Sequence, residues 1–447
     1  MKTTPELFIV RDEKGPILYS PLNGRLARIN EAAAAAVGRS LRGEELTSEE
    51  ERVVEQLDKH GFFDAVAPQP KPVPPPTQVT LFPTDGCNLR CRYCYARAEG
   101  SRHLLSPAVA RAAVDYVAAN AMAQKLPSFT VAFHGNGEPF THFDLVREIT
   151  LYAKDKAEKL GVECILTAAT NGVMEDEKLD FLIAWFSSVN ISCDALPDVQ
   201  NYQRPMASGA GTFEAVDRTL RRLDASGIPY GIRSTLTTDS VNRLEDIVRF
   251  VAEHYPHCDP LHMEPAWECG RCLSTGETTP DTEAFLERFL RAAHQLPDNG
   301  LKIVFSAART DFIGNRFCAV SANGFVVTAE GLVTSCYEVC EESDPRSDRY
   351  IYGRFDEPSG SFVFDEGKQE ALHRLVVENM PYCKDCFCKY TCAGDCAAKI
   401  LRSASPEAHA GSDRCRITRA ITLNMLGRQL DAALASGDEN EDSDRHA

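Results

Sequence analysis

The chain has 447 residues, which is too many for one hydrophobic core, so we expect two or three domains. Hydrophobic residues make up 43% and charged residues 25%, a balance typical of folded rather than disordered proteins. The net charge of −17 disfavours a non-specific grip on nucleic acid, so we predict no nucleic-acid partner. No stretch has the roughly 18 apolar residues of a membrane helix, and the N-terminus lacks a signal-peptide pattern, which predicts a cytoplasmic protein without a membrane partner.

The first 67 residues predict a small α+β domain. Apolar runs at 7–10 and 16–20 have the length of strands, and the Ala-rich INEAAAAAVGRSL predicts a helix. TSEE, beginning at Thr47, has the form of a capping box and predicts the start of a second helix. Residues 68–77 are rich in proline and predict a semi-rigid linker to the next domain.

Residues 78–300 show six short apolar runs that alternate with helical stretches. The runs are VTLF, FTVAF, CILTAA, VNISC, YGIRSTL and PLHME. Strands that alternate with helices form parallel sheets with right-handed crossovers. The pattern predicts an α/β fold in which a partial (β/α)6 TIM-like barrel forms the central domain. In such sheets ligands bind at the carboxyl ends of the strands, which directs attention to the residues that follow each run.

A loop directly after the first of these strands contains three cysteines, Cys87, Cys91 and Cys94. Seventeen cysteines in a cytosolic chain are more readily explained by metal binding than by disulfides. Structural zinc usually takes four protein ligands, whereas three thiolates with one open position suit an iron-sulfur cluster that binds an exogenous group. A zinc knuckle completed by a remote ligand is the alternative.

This C-x3-C-x2-C loop, with an aromatic residue before its last cysteine, resembles the signature of the radical S-adenosylmethionine (SAM) superfamily. The resemblance implies that Cys87, Cys91 and Cys94 hold a 4Fe-4S cluster whose fourth iron binds SAM. It also implies that Tyr93 lies beside the adenine, and that the reduced cluster cleaves SAM to methionine and a 5′-deoxyadenosyl radical.

Polar residues at the other strand ends fit the same family pattern. Gly137 and Glu138 follow the second strand in a turn that is similar to the family's GGE motif, which receives the SAM ammonium, although Asn136 replaces the second glycine. Met263 and Glu264 end the sixth strand and are candidates to approach the adenine or the substrate, with a core role as the alternative for Met263. The remaining predicted SAM-binding residues are Asn171, Ser192, Asp194, Arg204 and Arg233.

The cysteines between 301 and 433 resemble those of the SPASM domain, an auxiliary-cluster extension of many peptide-modifying radical SAM enzymes. The resemblance implies an outer cluster held by Cys383, Cys386, Cys392 and Cys415. An inner cluster would take Cys318, Cys336 and Cys396 and lacks one ligand. Either one of Cys269, Cys272, Cys340 and Cys388 supplies it, or the position stays open and binds substrate. Two structural zinc sites are the alternative. Residues 434–447 predict an acidic disordered tail.

These features predict an enzyme that modifies a ribosomally made peptide, by a thioether or carbon-carbon crosslink. The first 67 residues resemble the PqqD-like element that binds leader peptides, with a structural cap as the alternative. We expect a precursor peptide as substrate and flavodoxin or ferredoxin as reductant. Tyr337 and Glu338 are candidate catalytic residues, since they follow Cys336 where sulfatase-maturating relatives carry an Asp. The alternatives are a sulfatase-maturase-like protein oxidase and a non-catalytic metal-binding or redox-sensing protein.

Overall fold

The computed structural model describes residues 6–64, 72–100, 102–296, 300–401 and 405–436. The first residues of the predicted linker, 68–71, and the acidic tail from 437 onward lie outside the described residues. Residues 434–436, which the sequence assigned to the tail, are the last residues of a helix. Within the described ranges, none of the helices combines the length and hydropathy that crossing a lipid bilayer requires.

Fourteen strands and fifteen α-helices are described. The strands are β1 Phe8–Asp12, β2 Gly15–Ser20, β3 Arg25–Arg28, β4 Gln78–Leu81, β5 Ser128–Phe133, β6 Glu163–Thr170, β7 Ser188–Ser192, β8 Tyr230–Leu236, β9 Leu261–Pro265, β10 Ile303–Val304, β11 Phe325–Val327, β12 Leu332–Thr334, β13 Ile351–Asp356 and β14 Ser361–Phe364. The helices are α1 Glu31–Arg42, α2 Ser48–Lys59, α3 Pro107–Ala123, α4 Phe143–Leu160, α5 Asp176–Trp185, α6 Pro197–Gln203, α7 Phe213–Ser226, α8 Leu244–His254, α9 Cys272–Thr275, α10 Thr282–His294, α11 Ser347–Tyr350, α12 Glu366–His373, α13 Lys389–Cys392, α14 Ala397–Ile400 and α15 Asp413–Ser436.

The chain divides into two compact units, and the division differs from the predicted one. The first unit joins residues 1–72 to 307–317 and 376–447, and the second joins 73–306 to 318–375. The region 301–433, predicted as one auxiliary-cluster domain, is therefore shared between the two units. Sequence order could not show this, because the chain leaves each unit and returns to it.

The first unit contains a three-stranded antiparallel sheet in the order β1-β2-β3. The sequence predicted β1, β2 and both helices but not β3. The predicted capping box is present: Thr47 caps α2 by accepting from the Glu50 N–H, and the Glu50 side chain accepts from the Thr47 N–H. Leu7, Leu18 and Val37 form a core between the sheet and α1.

The second unit is built on an eleven-stranded sheet in the order β10-β9-β8-β7-β6-β5-β4-β11-β12-β13-β14. The strands from β10 to β11 in this order pair in parallel, and β12 to β14 continue as antiparallel hairpins. The predicted α/β fold class with six parallel strands, β4 to β9, is confirmed. The sheet gains β10 at one side, while β11 pairs with β4 at the other.

The two faces of the parallel strands differ in burial. In β6, Cys164, Leu166 and Ala168 are buried, whereas Ile165 and Thr167 are half-buried. Helices cover the buried face; α8, for example, buries Leu244, Ile247, Val248 and Val251 among its residues. Each such side chain contributes about 1.5 to 3 kcal/mol through removal from water. The opposite, more accessible face is the one that can line a ligand site.

Candidate active site

Cys87, Cys91 and Cys94 lie half-buried in the loop that follows β4. Burial, the Glu138 carboxylate and the other two thiols raise the pKa of Cys87 to about 12, and burial raises the pKa of Cys91 to about 11. The thiols are therefore close enough to influence one another's ionisation. If all three thiols were ionised in this half-buried loop, their negative charges would repel each other. A bound cationic centre would remove that repulsion.

Three thiols in one loop are a donor set that fits an iron-sulfur cluster. In the described part of the chain, no three Cys, His, Asp or Glu side chains are arranged to hold one metal ion. A four-iron cluster gives each thiolate an iron of its own, so its ligands need not converge on one point. When bound there, such a cluster would supply an electron to a ligand on its open iron.

Arg271, which is only 9% exposed, fixes the cysteine loop from outside. Its guanidinium donates to the carbonyl oxygens of Cys91, at 2.9 Å, and Ala98, at 2.6 Å. The Arg92 N–H also donates to the Gln203 carbonyl at 2.9 Å. These bonds help to define the shape of the loop.

The turn after β5 lies directly against the cysteine loop. The Glu138 N–H donates to the Gly86 carbonyl at 2.8 Å. A Cβ atom at Gly137 would lie 2.1 Å from that same oxygen, so only glycine permits the approach. The predicted residues Gly137 and Glu138 therefore meet the cysteine loop through backbone.

The Glu138 carboxylate is buried and accepts three hydrogen bonds. Its donors are the Thr170 hydroxyl at 2.7 Å, the Asn171 N–H at 2.7 Å and the Phe140 N–H at 3.1 Å. Burial raises its pKa, although these bonds oppose the rise. In this structure Glu138 ties the end of β6 to the turn after β5; its predicted contact with the SAM ammonium stays a prediction.

Asn171 connects the end of β6 to the cysteine loop. Its amide Nδ2 donates to the Asn88 side chain at 2.8 Å and lies 3.9 Å from Cys87 Sγ. Its own oxygen accepts from the Val173 N–H at 2.9 Å. The predicted SAM-binding residue thus lies beside a cysteine of the loop.

Asp194, Arg204 and Tyr93 form one buried cluster. Asp194 is fully buried, and its Oδ2 accepts from Arg204 Nε at 3.0 Å, from Gln203 Nε2 at 2.7 Å and from the Tyr93 hydroxyl. The Arg204 guanidinium also lies 5.1 Å from the centre of the Tyr93 ring. The structure pairs Asp194 with Arg204, an arrangement that the sequence did not suggest, since each was predicted to contact SAM separately.

Ser192 and Arg233 are register partners on β7 and β8, and Arg233 pairs in turn with His262 on β9. The Arg233 side chain is exposed, and its Nη1 lies 3.0 Å from His262 Nδ1. The sequence did not single out His262 or His134. Both could have been found from position, since His134 directly follows the apolar run of β5 and His262 lies between buried residues of β9.

Tyr337 and Glu338 occupy different surroundings. The Tyr337 ring stacks on His134 with centroids 4.7 Å apart, and its hydroxyl lies 3.1 Å from Thr80 Oγ1, where burial raises its pKa. Glu338 accepts from Arg346 at 3.3 Å and lines a cavity of about 780 Å³ beside Tyr95. Both catalytic assignments stay predictions.

The four cysteines predicted for the outer cluster line one small cavity in the first unit. They are Cys383, Cys386, Cys392 and Cys415. Burial and the neighbouring thiols raise the pKa of Cys383 to about 12, while a hydrogen bond with Cys388 lowers that of Cys386 to about 6. His409 Nε2 lies 3.6 Å from Cys415 Sγ. This donor set fits an auxiliary iron-sulfur cluster.

The cysteines predicted for the inner cluster are divided by the fold. Cys318 and Cys336 belong to the second unit. Both lie near Tyr337, because they add to the increase in the Tyr337 pKa that burial mainly causes. Cys396 belongs to the first unit. Among the candidates for the missing ligand, Cys340 is buried with its Sγ 3.1 Å from the Tyr337 carbonyl, and Cys388 lies in the outer cavity. The inner ligand set stays a prediction.

Comparison with known proteins agrees with this geometry. Residues 81–251 match the model of the radical SAM superfamily. The uncharacterized protein MJ0907 of Methanocaldococcus jannaschii is 28% identical over 169 residues, which cover 38% of this chain and 56% of that protein. A cysteine-type anaerobic sulfatase-maturating enzyme of Clostridium perfringens is 22% identical over 346 residues, 72% of this chain and 89% of that enzyme.

A solved structure shares the fold over most of its length. Native anSMEcpe with bound AdoMet and Cp18Cys peptide superposes with a TM-score of 0.61 at 16% identity. The match covers 81% of this chain and 100% of that one. A likeness at this identity concerns the fold.

The close approach at Gly137 generates a first prediction. Gly137→Ala should lower the free energy of unfolding by about 2 to 3 kcal/mol, because the added methyl group has to displace backbone. Gly100→Ala is the matched control, since nothing lies within 4 Å of its Cβ position. Urea unfolding followed by tryptophan fluorescence measures both, as Trp185 and Trp267 lie in the second unit. Equal midpoints for the two variants would contradict the packing argument.

The buried Asp194–Arg204 pair generates a second prediction. Asp194→Asn or Arg204→Met alone should destabilise the protein by about 3 to 5 kcal/mol, because each leaves an unpaired buried group. The double variant should lose less than the sum of the two, since it removes both charges. The exposed Lys159–Asp155 pair, removed in the same way, should change stability by about 0.5 kcal/mol or less. Strict additivity at Asp194 and Arg204 would contradict the account.

Proposed function

We propose that this chain, which belongs to the radical SAM superfamily and carries SPASM-type cysteines, cleaves SAM and crosslinks a ribosomally made peptide. The observation that carries the proposal is the cysteine loop, held by backbone bonds against the Gly137–Glu138 turn. Cys87, Cys91 and Cys94 would hold the cluster, which supplies the electron that converts SAM to methionine and a 5′-deoxyadenosyl radical. A flavodoxin or ferredoxin would be the source of that electron.

The residues around the loop would bind and orient SAM. Asn171 lies beside Cys87, and the Tyr93 ring is held by Asp194 and Arg204 in the buried cluster. A ring fixed in this way can pack against the adenine without rearrangement. Ser192 would contact the ribose. The accessible face of β6 to β9 would then receive the substrate and exclude water from it.

A peptide is the substrate class that the relatives favour. The similar Clostridium enzyme matures sulfatases, and the anSMEcpe structure contains bound AdoMet and Cp18Cys peptide. In the first unit, β1 and β3 are the outer strands of the sheet. We propose that a leader peptide adds to one of these edges, because an unpaired strand edge offers backbone donors and acceptors to an extended chain.

Tyr337 supports crosslinking over sulfatase-type oxidation. In sulfatase-maturating relatives an Asp follows the cysteine that matches Cys336, and Tyr337 stands there in this chain. A phenol has an ordinary pKa of about 10 and is protonated at neutral pH, so Tyr337 is a poor general base. The Glu338 carboxylate already accepts a hydrogen bond from the Arg346 guanidinium. A thioether or carbon-carbon bond needs an electron acceptor after radical formation, a role that the auxiliary clusters suit.

The proposal predicts SAM cleavage that depends on the three cysteines of the loop. Anaerobically reconstituted protein with dithionite and SAM should form 5′-deoxyadenosine, measured by chromatography. The Cys87/Cys91/Cys94 triple Ala variant should form none and should retain part of its iron at the auxiliary sites. Cys164→Ser, at a buried thiol on β6, is the matched control and should keep wild-type turnover. Well-loaded protein that makes no deoxyadenosine would contradict the proposal.

Mass spectrometry of the peptide product separates crosslinking from the sulfatase-maturase alternative. Sulfatase maturation is the second candidate function, because the Clostridium enzyme is 22% identical over most of both chains. A crosslinked product loses hydrogen and keeps its sulfur, whereas oxidation of a cysteine in the sulfatase manner removes the sulfur.

A further inference from the structure

A connected set of polar side chains lies on the accessible face of β8 and β9. Arg233 and His262 are register partners on these neighbouring parallel strands. Arg233 is exposed between the buried residues Ile232 and Ser234, so its side chain points to the face that the helices leave uncovered. Glu264 follows on the same face of β9, two residues after His262.

Close contacts connect these side chains. His262 Nε2 lies 3.0 Å from Glu264 Oε1. Arg233 Nη1 lies 3.0 Å from His262 Nδ1 and 3.5 Å from His262 Nε2, so the guanidinium lies over the imidazole ring. Glu264 is 2% exposed and also accepts from the Ser306 N–H at 2.9 Å. The buried carboxylate thus fixes the imidazole, and the imidazole fixes the arginine.

The Arg233 side chain is exposed, and among the described residues it forms no ion pair. It contacts the ring of His262, whose Nε2 lies against the Glu264 carboxylate. A guanidinium has five N–H donors in a planar fork, which matches the two oxygens of a carboxylate. One of its nitrogens contacts His262, and the rest of the fork is geometrically suited to a ligand.

Small and polar residues neighbour Arg233 on the adjacent strand. Ser192 on β7 is its register partner, and Gly231, two residues before Arg233, pairs with Asn190. Asn190 pairs with Ala169 on β6. His134, at the end of β5, also lies near Arg233. Burial lowers the pKa of His134 to about 4, and the positive charge of Arg233 adds to that shift. Arg233 therefore neighbours His134 as well as His262 on this face of the sheet.

We propose that Arg233, positioned by His262 and Glu264, binds a carboxylate of the peptide substrate, which makes an acidic residue near the modified position part of the recognised sequence. The inference rests on the proposed function for its peptide. It reassigns Arg233 from the SAM-binding role that the family resemblance implies. In this account Arg233 is a specificity residue, whereas His262 and Glu264 are positioning residues.

The test measures binding without turnover, on full-length reconstituted protein with saturating SAM and no reductant. Equilibrium dialysis determines the affinities of acetyl-Ala-Glu-Ala-amide and acetyl-Ala-Gln-Ala-amide, which differ in one charge. Wild type should bind the Glu peptide about tenfold more tightly. Arg233→Gln should abolish the preference, and Arg233→Lys should keep part of it, since it retains the charge without the fork. Arg221→Gln, at an exposed arginine on α7, should leave the preference unchanged.

SAM affinity and iron content, measured on the same samples, separate the outcomes. Arg233→Gln should keep both within about twofold of wild type, which also shows that it folds. Equal binding of the two peptides by wild type, or a preference that survives Arg233→Gln, overturns the proposal. Loss of SAM affinity with an intact preference assigns Arg233 to the cofactor instead. Because no deoxyadenosine is formed in this assay, its failure is distinct from failure of the proposed function.

Discussion

The backbone contact between the cysteine loop and the turn after β5 is the constraint on which the rest of the site depends. The Glu138 N–H bonds the Gly86 carbonyl at 2.8 Å, and the absence of a side chain at Gly137 permits it. This contact places the end of β5 beside the residue that precedes Cys87. The Glu138 carboxylate then accepts hydrogen bonds from Thr170 and Asn171 at the end of β6, so the ends of two strands are connected to the loop.

The site is thus preorganised by the protein's own hydrogen bonds. At the end of β7, Asp194 accepts hydrogen bonds from Arg204, Tyr93 and Gln203. Arg271 donates a hydrogen bond to the backbone of the cysteine loop. Buried charges of this kind stabilise little by themselves, because their desolvation offsets much of their attraction. Their effect is to fix geometry, and loss of one partner is more damaging than loss of both. A radical enzyme needs such rigidity, since the reactive carbon has to be held in place while water is kept away.

Much of the architecture could be predicted from the sequence because it is encoded locally. The alternation of apolar runs and helices indicated β4 to β9, and Thr47 with Glu50 indicated the start of α2. The spacing of Cys87, Cys91 and Cys94 indicated the chemistry of the loop. Each of these signals lies within a few residues of chain, where periodicity and spacing carry direct physical meaning.

Other features could not be predicted, because they depend on pairing between distant segments. Nothing local shows that β11 pairs with β4, or that residues 376–401 and 405–436 group with residues 6–64. The pairing of Asp194 with Arg204 and the order from Arg233 through His262 to Glu264 likewise arise only when strands align. Tyr337 stacks on His134, which lies more than 200 residues earlier in the chain, so this contact could not be predicted from the sequence either.

The most direct test of the central claim is whether SAM binds the cluster of the cysteine loop. Electron-nuclear double resonance on the reduced protein, with SAM labelled by nitrogen-15 at its amino group, measures this contact. We expect a nitrogen coupling in the wild type that is absent from the Cys87/Cys91/Cys94 triple Ala variant, whose auxiliary clusters provide the background. A fully loaded wild-type protein without that coupling would contradict the account.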